Sequence, residues 1–231
     1  MTKWIFAVIN TICLIIIVLF TSIEIPTFNY AFYNYEYNKN GTYETIGISQ
    51  YDLERVTYKL MYYIKGDVEN LEVHADINGE GREFFNDLEK AHMVDVKQLF
   101  QIGYAVRNIA VVVFFITYLC AFVYKRRPAL REYAKSFIGL TLVFITACGG
   151  LVLIIFSNFN KYFTIFHEIF FDNDMWILDP ATDLLINIVP LPFFIDIFKV
   201  VILLFFLAIL IMMIISIVYL KSGNNKQEVR E

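Results

Sequence analysis

Residues 125–135 read KRRPALREYAK, with Lys125, Arg126, Arg127, Arg131 and Lys135 against the single acid Glu132. This basic run lies between two long apolar ones, and its reading decides the fold. Short loops rich in Lys and Arg stay on the cytoplasmic side of a membrane. Working outward, apolar runs occupy 105–124 and 137–157, and two more lie at 1–23 and 197–220. About 20 helical residues rise about 30 Å, the thickness of the hydrocarbon core. Lys3 and Lys221 flank the outer pair of runs and agree with the basic loop. The spacing therefore predicts four transmembrane helices with both termini inside. The first run has no A-x-A cleavage site after it and reads as a retained anchor rather than a signal peptide.

Composition supports this class. The chain has 231 residues, 58% hydrophobic and 18% charged, where soluble domains carry about 25% charge. Mean hydropathy is +0.57. A net charge of −4 with no basic face argues against a nucleic-acid partner, and no Walker loop points to a nucleotide. Cys13, Cys120 and Cys148 all fall in apolar runs and read as small hydrophobes, so no disulfide framework is expected.

The topology leaves 24–104 and 158–196 outside, with 125–136 as a cytoplasmic loop and 221–231 as a cytoplasmic tail. The first outside segment predicts a small extracytoplasmic α+β cap on a mainly α membrane protein. Ser49 and Asp52 resemble a capping box before a helix over about 50–65, and Lys65-Gly66 supplies its stop. Leu71, Val73, Ala75 and Ile77 alternate with polar residues, and Asn78-Gly79 closes a hairpin over about 71–85. A helix from 87 runs into the second span, with Asn86 and Glu89 as reciprocal caps. In the second outside segment, Trp176 reads as an interfacial residue. Asp179-Pro180 reads as an N-cap with Pro at N1 of a short interfacial helix through Leu184, Leu185 and Ile188.

Only three histidines occur, and two have polar company within apolar surroundings. Glu89, His92 and Asp95 share one helix face at i, i+3, i+6. His167 stands beside Glu168 in FHEIFF, 166–171. If both helices extend outward, His92 and His167 reach similar heights at headgroup level. His74 falls on the polar face of its strand. His-Glu-x-x-His fails as a zinc motif because residue 171 is Phe, and Glu-x-x-His at 89–92 has no second copy for a di-iron site. The two histidines with Glu89 or Glu168 could still hold one ion, but the expectation is no metal and no cofactor. Two imidazoles with titration near pH 6.5 suit general acid–base chemistry. Glu89, Asp95, Glu168 and Arg107 are the supporting candidates. Arg107 and Lys199 also read as interfacial anchors.

EKAHMVDVKQLF at 89–100, FHEIFFDNDMWILDP at 166–180 and LLINIVPLPFF at 184–194 resemble the bacterial lipoprotein intramolecular transacylase family, over essentially the whole chain. The resemblance implies an acyltransferase of the bacterial plasma membrane, with its active site at the extracytoplasmic face. It implies transfer of the sn-2 acyl chain of an S-diacylglyceryl cysteine onto that cysteine's own α-amine, giving an N-acyl, lyso lipoprotein. The diacylated lipoprotein and bilayer lipid are then the partners, and His92 and His167 are the catalytic pair. A membrane-embedded acyl hydrolase and a non-catalytic sensor or binding protein stand as alternatives. Which histidine is base, and what Tyr30 to Tyr37 do beyond packing, stays open at this level.

Overall fold

The structure, a computed structural model, describes the backbone of residues 2–228 and their side chains except 2–3, 121–122, 124–129 and 223–228. Lys125, Arg126 and Arg127 of the basic run thus lie outside the described side chains. Helices α1 (Thr2–Thr27), α2 (Tyr30–Asn40), α3 (Thr42–Ile46) and α4 (Gln50–Lys65) precede strands β1 (His74–Ile77) and β2 (Glu80–Glu83). Then come α5 (Asp87–Ser157), α6 (Phe159–Phe170), α7 (Leu185–Ile188) and α8 (Leu191–Glu228). Four helical stretches are long and apolar enough to cross a membrane: Trp4–Thr27, Asp87–Cys120, Leu130–Ser157 and Leu191–Ser222. The chain is mainly helical with one two-stranded sheet.

The residues fall into two compact units. One, made of Met1–Ile23, Tyr104–Ser157 and Val201–Glu231, is helical throughout its described residues. The Tyr133 hydroxyl donates to the Thr117 carbonyl at 2.8 Å. Sixteen residues of straight helix would separate these groups by roughly 24 Å. The chain therefore reverses between them, and α5 supplies two antiparallel stretches. Asn10 ties α1 to the first of these, its amide donating to the Phe114 carbonyl and the Thr117 hydroxyl. Thr11 and Thr146 return their hydroxyl protons to carbonyls four residues back, as polar groups must where no water competes. Ile15, Phe137, Phe205 and Ile209 form the buried centre. Val123, Val143 and Leu153 stay at least 70% exposed, tolerable only where lipid rather than water is the solvent.

The second unit holds Glu24–Gly103 and Asn158–Val200. Helices α2, α4 and α6 start on local caps: Asn29 accepts from Ala31 N–H, Ser49 from Asp52 N–H, and Asn158 from Lys161 N–H. α4 buries Leu53, Val56, Leu60 and Ile64, one stripe of an amphipathic helix. Tyr33 and Tyr37 of α2 pack on that core, and the Tyr37 hydroxyl meets Thr57 Oγ1 at 2.8 Å. The tyrosine-rich stretch is thus in large part core.

The hairpin pairs His74 with Glu83 through Ile77 with Glu80, around Asn78 at φ 56° and Gly79 at φ 87°. Gly47 has no alternative here, since at φ 70° a Cβ would lie 1.9 Å from Asn78 Oδ1. β1 is shorter than the alternation from Leu71 suggests. Leu71 and Val73 are buried in the core, but Val73 only accepts from Phe84 N–H at 2.8 Å, beyond the end of the ladder. Alternation reports which face is buried, and ladder pairing needs a partner strand as well.

Candidate active site

His92 lies on the second turn of α5, and the start of that helix is doubly fastened. Asn86 Oδ1 accepts from Glu89 N–H at 2.9 Å, while Glu89 Oε2 accepts from Asn86 N–H at 2.6 Å, a reciprocal capping box. The other Glu89 oxygen reaches 96 residues ahead and accepts from Leu185 N–H at 2.5 Å. Asn86 Nδ2 donates to Asp183 Oδ1 at 2.7 Å, and Asp183 Oδ2 accepts from Asp179 N–H at 2.7 Å. Glu89, 1% exposed, thus joins α5 to the 179–188 segment. Burial raises its pKa, although the Leu185 and Asn86 N–H groups pull the other way.

This network also explains where α7 begins. Asp179 does not start a helix through 184. Its side chain accepts from Ala181 N–H, and its own N–H goes to Asp183, which makes 179–183 a turn. The helix spans only Leu185–Ile188, and Leu184 gives it no side-chain cap. Glu89 supplies an acceptor from outside the segment.

His167 lies near the C-terminal end of α6 and is 9% exposed; His92 is 7% exposed. Their ring centroids stand 6.1 Å apart, tilted 35°. Aromatic side chains enclose the pair. Phe163 and Trp176 lie 4.5 and 4.9 Å from His167, and Phe171 lies 5.3 Å from His92. Trp176 therefore does more than its composition suggests, since it covers one imidazole face.

The two rings are held differently. His167 Nδ1 lies 2.7 Å from the Phe163 carbonyl. A carbonyl only accepts, so Nδ1 carries the proton and Nε2 presents a lone pair. His92 Nδ1 is buried with no hydrogen-bond partner. An orphaned lone pair there is the less costly tautomer, because buried N–H groups left unpaired are the rarer case in folded proteins. That choice puts the His92 proton on Nε2.

Both histidines belong to the second unit, and His92 sits in the polar part of α5, ahead of the apolar run at 105–124. Burial lowers the His92 pKa to about 4, helped by His167 and opposed by Asp95. Burial also lowers that of His167, against the Phe163 bond. Both shifts favour the uncharged ring.

The supporting candidates divide. Asp95 acts on His92 through its charge and accepts from Asn173 Nδ2 at 2.9 Å, linking the two histidine segments. Glu89 fastens backbone rather than touching either ring. Glu168 is exposed, because one residue on from His167 a helix has turned about 100° away. Arg107 belongs to the other unit, with its guanidinium 5.4 Å from the Tyr104 ring centroid. Asn86, Asp183 and Asn173 were not singled out from the sequence as site residues. Only Asn86, three before Glu89, carried a local signal. Among the described residues, no three His, Cys, Asp or Glu side chains converge as metal ligands would.

Four membrane-length helices, and two imidazoles 6.1 Å apart in an aromatic enclosure, define a membrane-integral protein with a buried histidine pair. The family model of the lipoprotein intramolecular transacylase Lit matches residues 8–194. The chain belongs to the lipoprotein intramolecular transacylase family, and with it to the multi-pass membrane acyltransferases. Its fold is similar to the in meso structure of the membrane integral lipoprotein intramolecular transacylase Lit from Bacillus cereus. The TM-score is 0.79 at 18% identity, covering 96% of this chain and 98% of that one. Two variants of that protein, with one histidine replaced by arginine or by alanine, both give a TM-score of 0.75. The arginine variant is 16% identical and covers 97% of this chain and 95% of its own; the alanine variant is 17% identical and covers 96% of each. No match was found among curated proteins.

Proposed function

We propose that the chain moves the sn-2 acyl group of an S-diacylglyceryl cysteine onto that residue's own α-amine, with His167 as general base and His92 as hydrogen-bond donor. The observation that carries this reading is the different setting of the two rings, His167 Nδ1 lying 2.7 Å from the Phe163 carbonyl and His92 Nδ1 being buried with no partner. The amine nitrogen attacks the ester carbonyl carbon as His167 Nε2 takes its proton. The carbonyl oxygen gains charge and meets His92 N–H, a neutral donor that burial keeps from ionising. Collapse breaks the bond between the acyl carbon and the glycerol 2-oxygen, and the His167 imidazolium protonates that oxygen. An amide and a free 2-hydroxyl result, with no net gain or loss of atoms. Nucleophile and ester sit in one substrate, so holding them together supplies much of the acceleration. The basic run at 125–135 supports an extracytoplasmic placement for the histidines.

Mass spectrometry of a diacylated lipoprotein from cells with and without the protein tests this. The expected product keeps its mass while one acyl chain moves from glycerol to the cysteine nitrogen. Loss of one acyl mass would mean a hydrolase, and an unchanged lipopeptide would favour a sensor.

A pH profile tests the base. The substrate ammonium, with a pKa near 7.7–8.0, must lose its proton, so the rate rises about tenfold per pH unit up to about 8. A base of ordinary pKa would add a second proton below about 6.5 and steepen the slope to about two. With His167 lowered, the bare Nε2 persists below that point, so the break to slope two is displaced below about pH 6.5. A break in lipopeptide conversion at or above about pH 6.5 would overturn the assignment.

A further inference from the structure

The helical unit contains a cavity of about 400 Å³ that the acyl-transfer reading leaves unused. Asn10 and Leu14 of α1, Phe114, Tyr133 and Phe137 of α5, and Tyr219 of α8 are among its walls. That volume falls within the range of small-ligand sites. All four spans contribute from the same end. Asn10 is six residues into the first, Tyr118 two from the end of the second, Leu130 the first of the third, and Tyr219 three from the end of the fourth. The cavity is open, for Tyr118 and Tyr219 on its edge are each 37% exposed.

The chemistry of the walls selects the occupant. Asn10, Thr11 and Tyr133 turn their donors into the protein. The Asn10 amide serves the Phe114 carbonyl and Thr117, the Thr11 hydroxyl serves Ala7, and the Tyr133 hydroxyl serves the Thr117 carbonyl. A water cluster needs two to four polar partners per molecule, and these walls offer carbon instead. An open apolar cleft between membrane-spanning helices admits hydrocarbon.

Charge specifies what the hydrocarbon is attached to. Leu130, Tyr133, Ala134 and Phe137 face the cavity at i, i+3, i+4 and i+7, one stripe of a helix. Arg131 and Lys135 occupy the next position on the same turns, at the C-terminal end of a run with five cations and one acid. Among the described residues Lys135 pairs with Glu132, at 3.5 Å on the surface, a weak pair that leaves its charge effective. Basic sites between transmembrane helices hold anionic lipid headgroups.

We infer that this cavity is a binding site for an anionic glycerophospholipid, with one acyl chain between the helices and its phosphate at Arg131 and Lys135. The inference does not depend on the histidine reading. The test reconstitutes the full chain in phosphatidylcholine nanodiscs containing a small fraction of phosphatidylglycerol with a diazirine on its acyl chain. After irradiation, adducts are mapped by peptide mass spectrometry. Adducts are expected to concentrate at Tyr133, Tyr219 and their neighbours. Unlabelled phosphatidylglycerol should displace them at least about tenfold better than phosphatidylcholine, and Lys135→Gln, an exposed substitution, should cut that preference about fivefold. Ala134→Phe should fill the cleft and abolish these adducts. Adducts spread evenly over the outward apolar faces, equal competition by the two lipids, or adducts that survive Ala134→Phe would each overturn the site. A preference unmoved by Lys135→Gln would overturn the headgroup assignment.

Discussion

His167→Ala is expected to slow acyl transfer by about three to four orders of magnitude, and His92→Ala by about two to three. The ordering follows from the nitrogens. Without His167 the attack loses the ring assigned as its base, and Phe163, Phe171 and Trp176, which pack against that ring, supply no replacement. Without His92 the attack still has its base but loses one hydrogen bond to the developing oxyanion. His167→Phe is the companion variant, because it keeps the aromatic packing while removing both nitrogens. Single-turnover conversion of a diacylated lipopeptide, at matched thermal stability, reads the effect. Equal losses for the two alanine variants would argue for a shared proton rather than a division of labour. A larger loss at His92 would reverse the roles.

Glu89→Gln is expected to lower the rate about a hundredfold without altering its pH slope. The carboxylate accepts from two N–H groups, that of Asn86 on one oxygen and the buried one of Leu185 on the other. An amide keeps one acceptor and turns an NH₂ against the second N–H. The 179–188 segment then shifts relative to α5, and displacement of about 1 Å from productive geometry costs about a hundredfold. Glu89→Ala leaves both donors unpaired and is expected to cost on the order of 3 kcal/mol of stability. Thermal unfolding measures the second effect and the pH–rate profile the first. If Glu89 moved protons in the reaction, Glu89→Gln would change the slope of the profile. A fully active Glu89→Gln enzyme would remove the fastening role.

How much of this was legible beforehand depends on the range of each interaction. Apolar run length and the charge bias at 125–135 are local, and they suffice for four membrane-length helices. Capping boxes are local too, so Asn86 with Glu89 and Ser49 with Asp52 announce helix starts within four residues. Asp179-Pro180 has the same look and misleads, because Asp183 captures the Asp179 N–H and an acceptor from 96 residues back serves Leu185. Composition placed Trp176 at an interface, but its contact with His167 comes from the fold of the 171–176 turn. The His167–Phe163 bond was within reach, since a ring nitrogen meeting a carbonyl four residues back is a helical relation.

From the sequence alone follow a mainly helical membrane protein, its helix starts, the candidate histidines and the family they resemble. Periodicity, caps and hydrophobic length each act within a few turns. Tertiary structure alone decided that the two imidazoles stand 6.1 Å apart, which carboxylate fastens backbone and which faces solvent, and that the helical unit holds an open apolar cleft. Those outcomes turn on hydrogen bonds across 78 to 97 residues and on packing between helices. No pattern of spacing along the chain records such pairings, because they depend on where the chain returns in space.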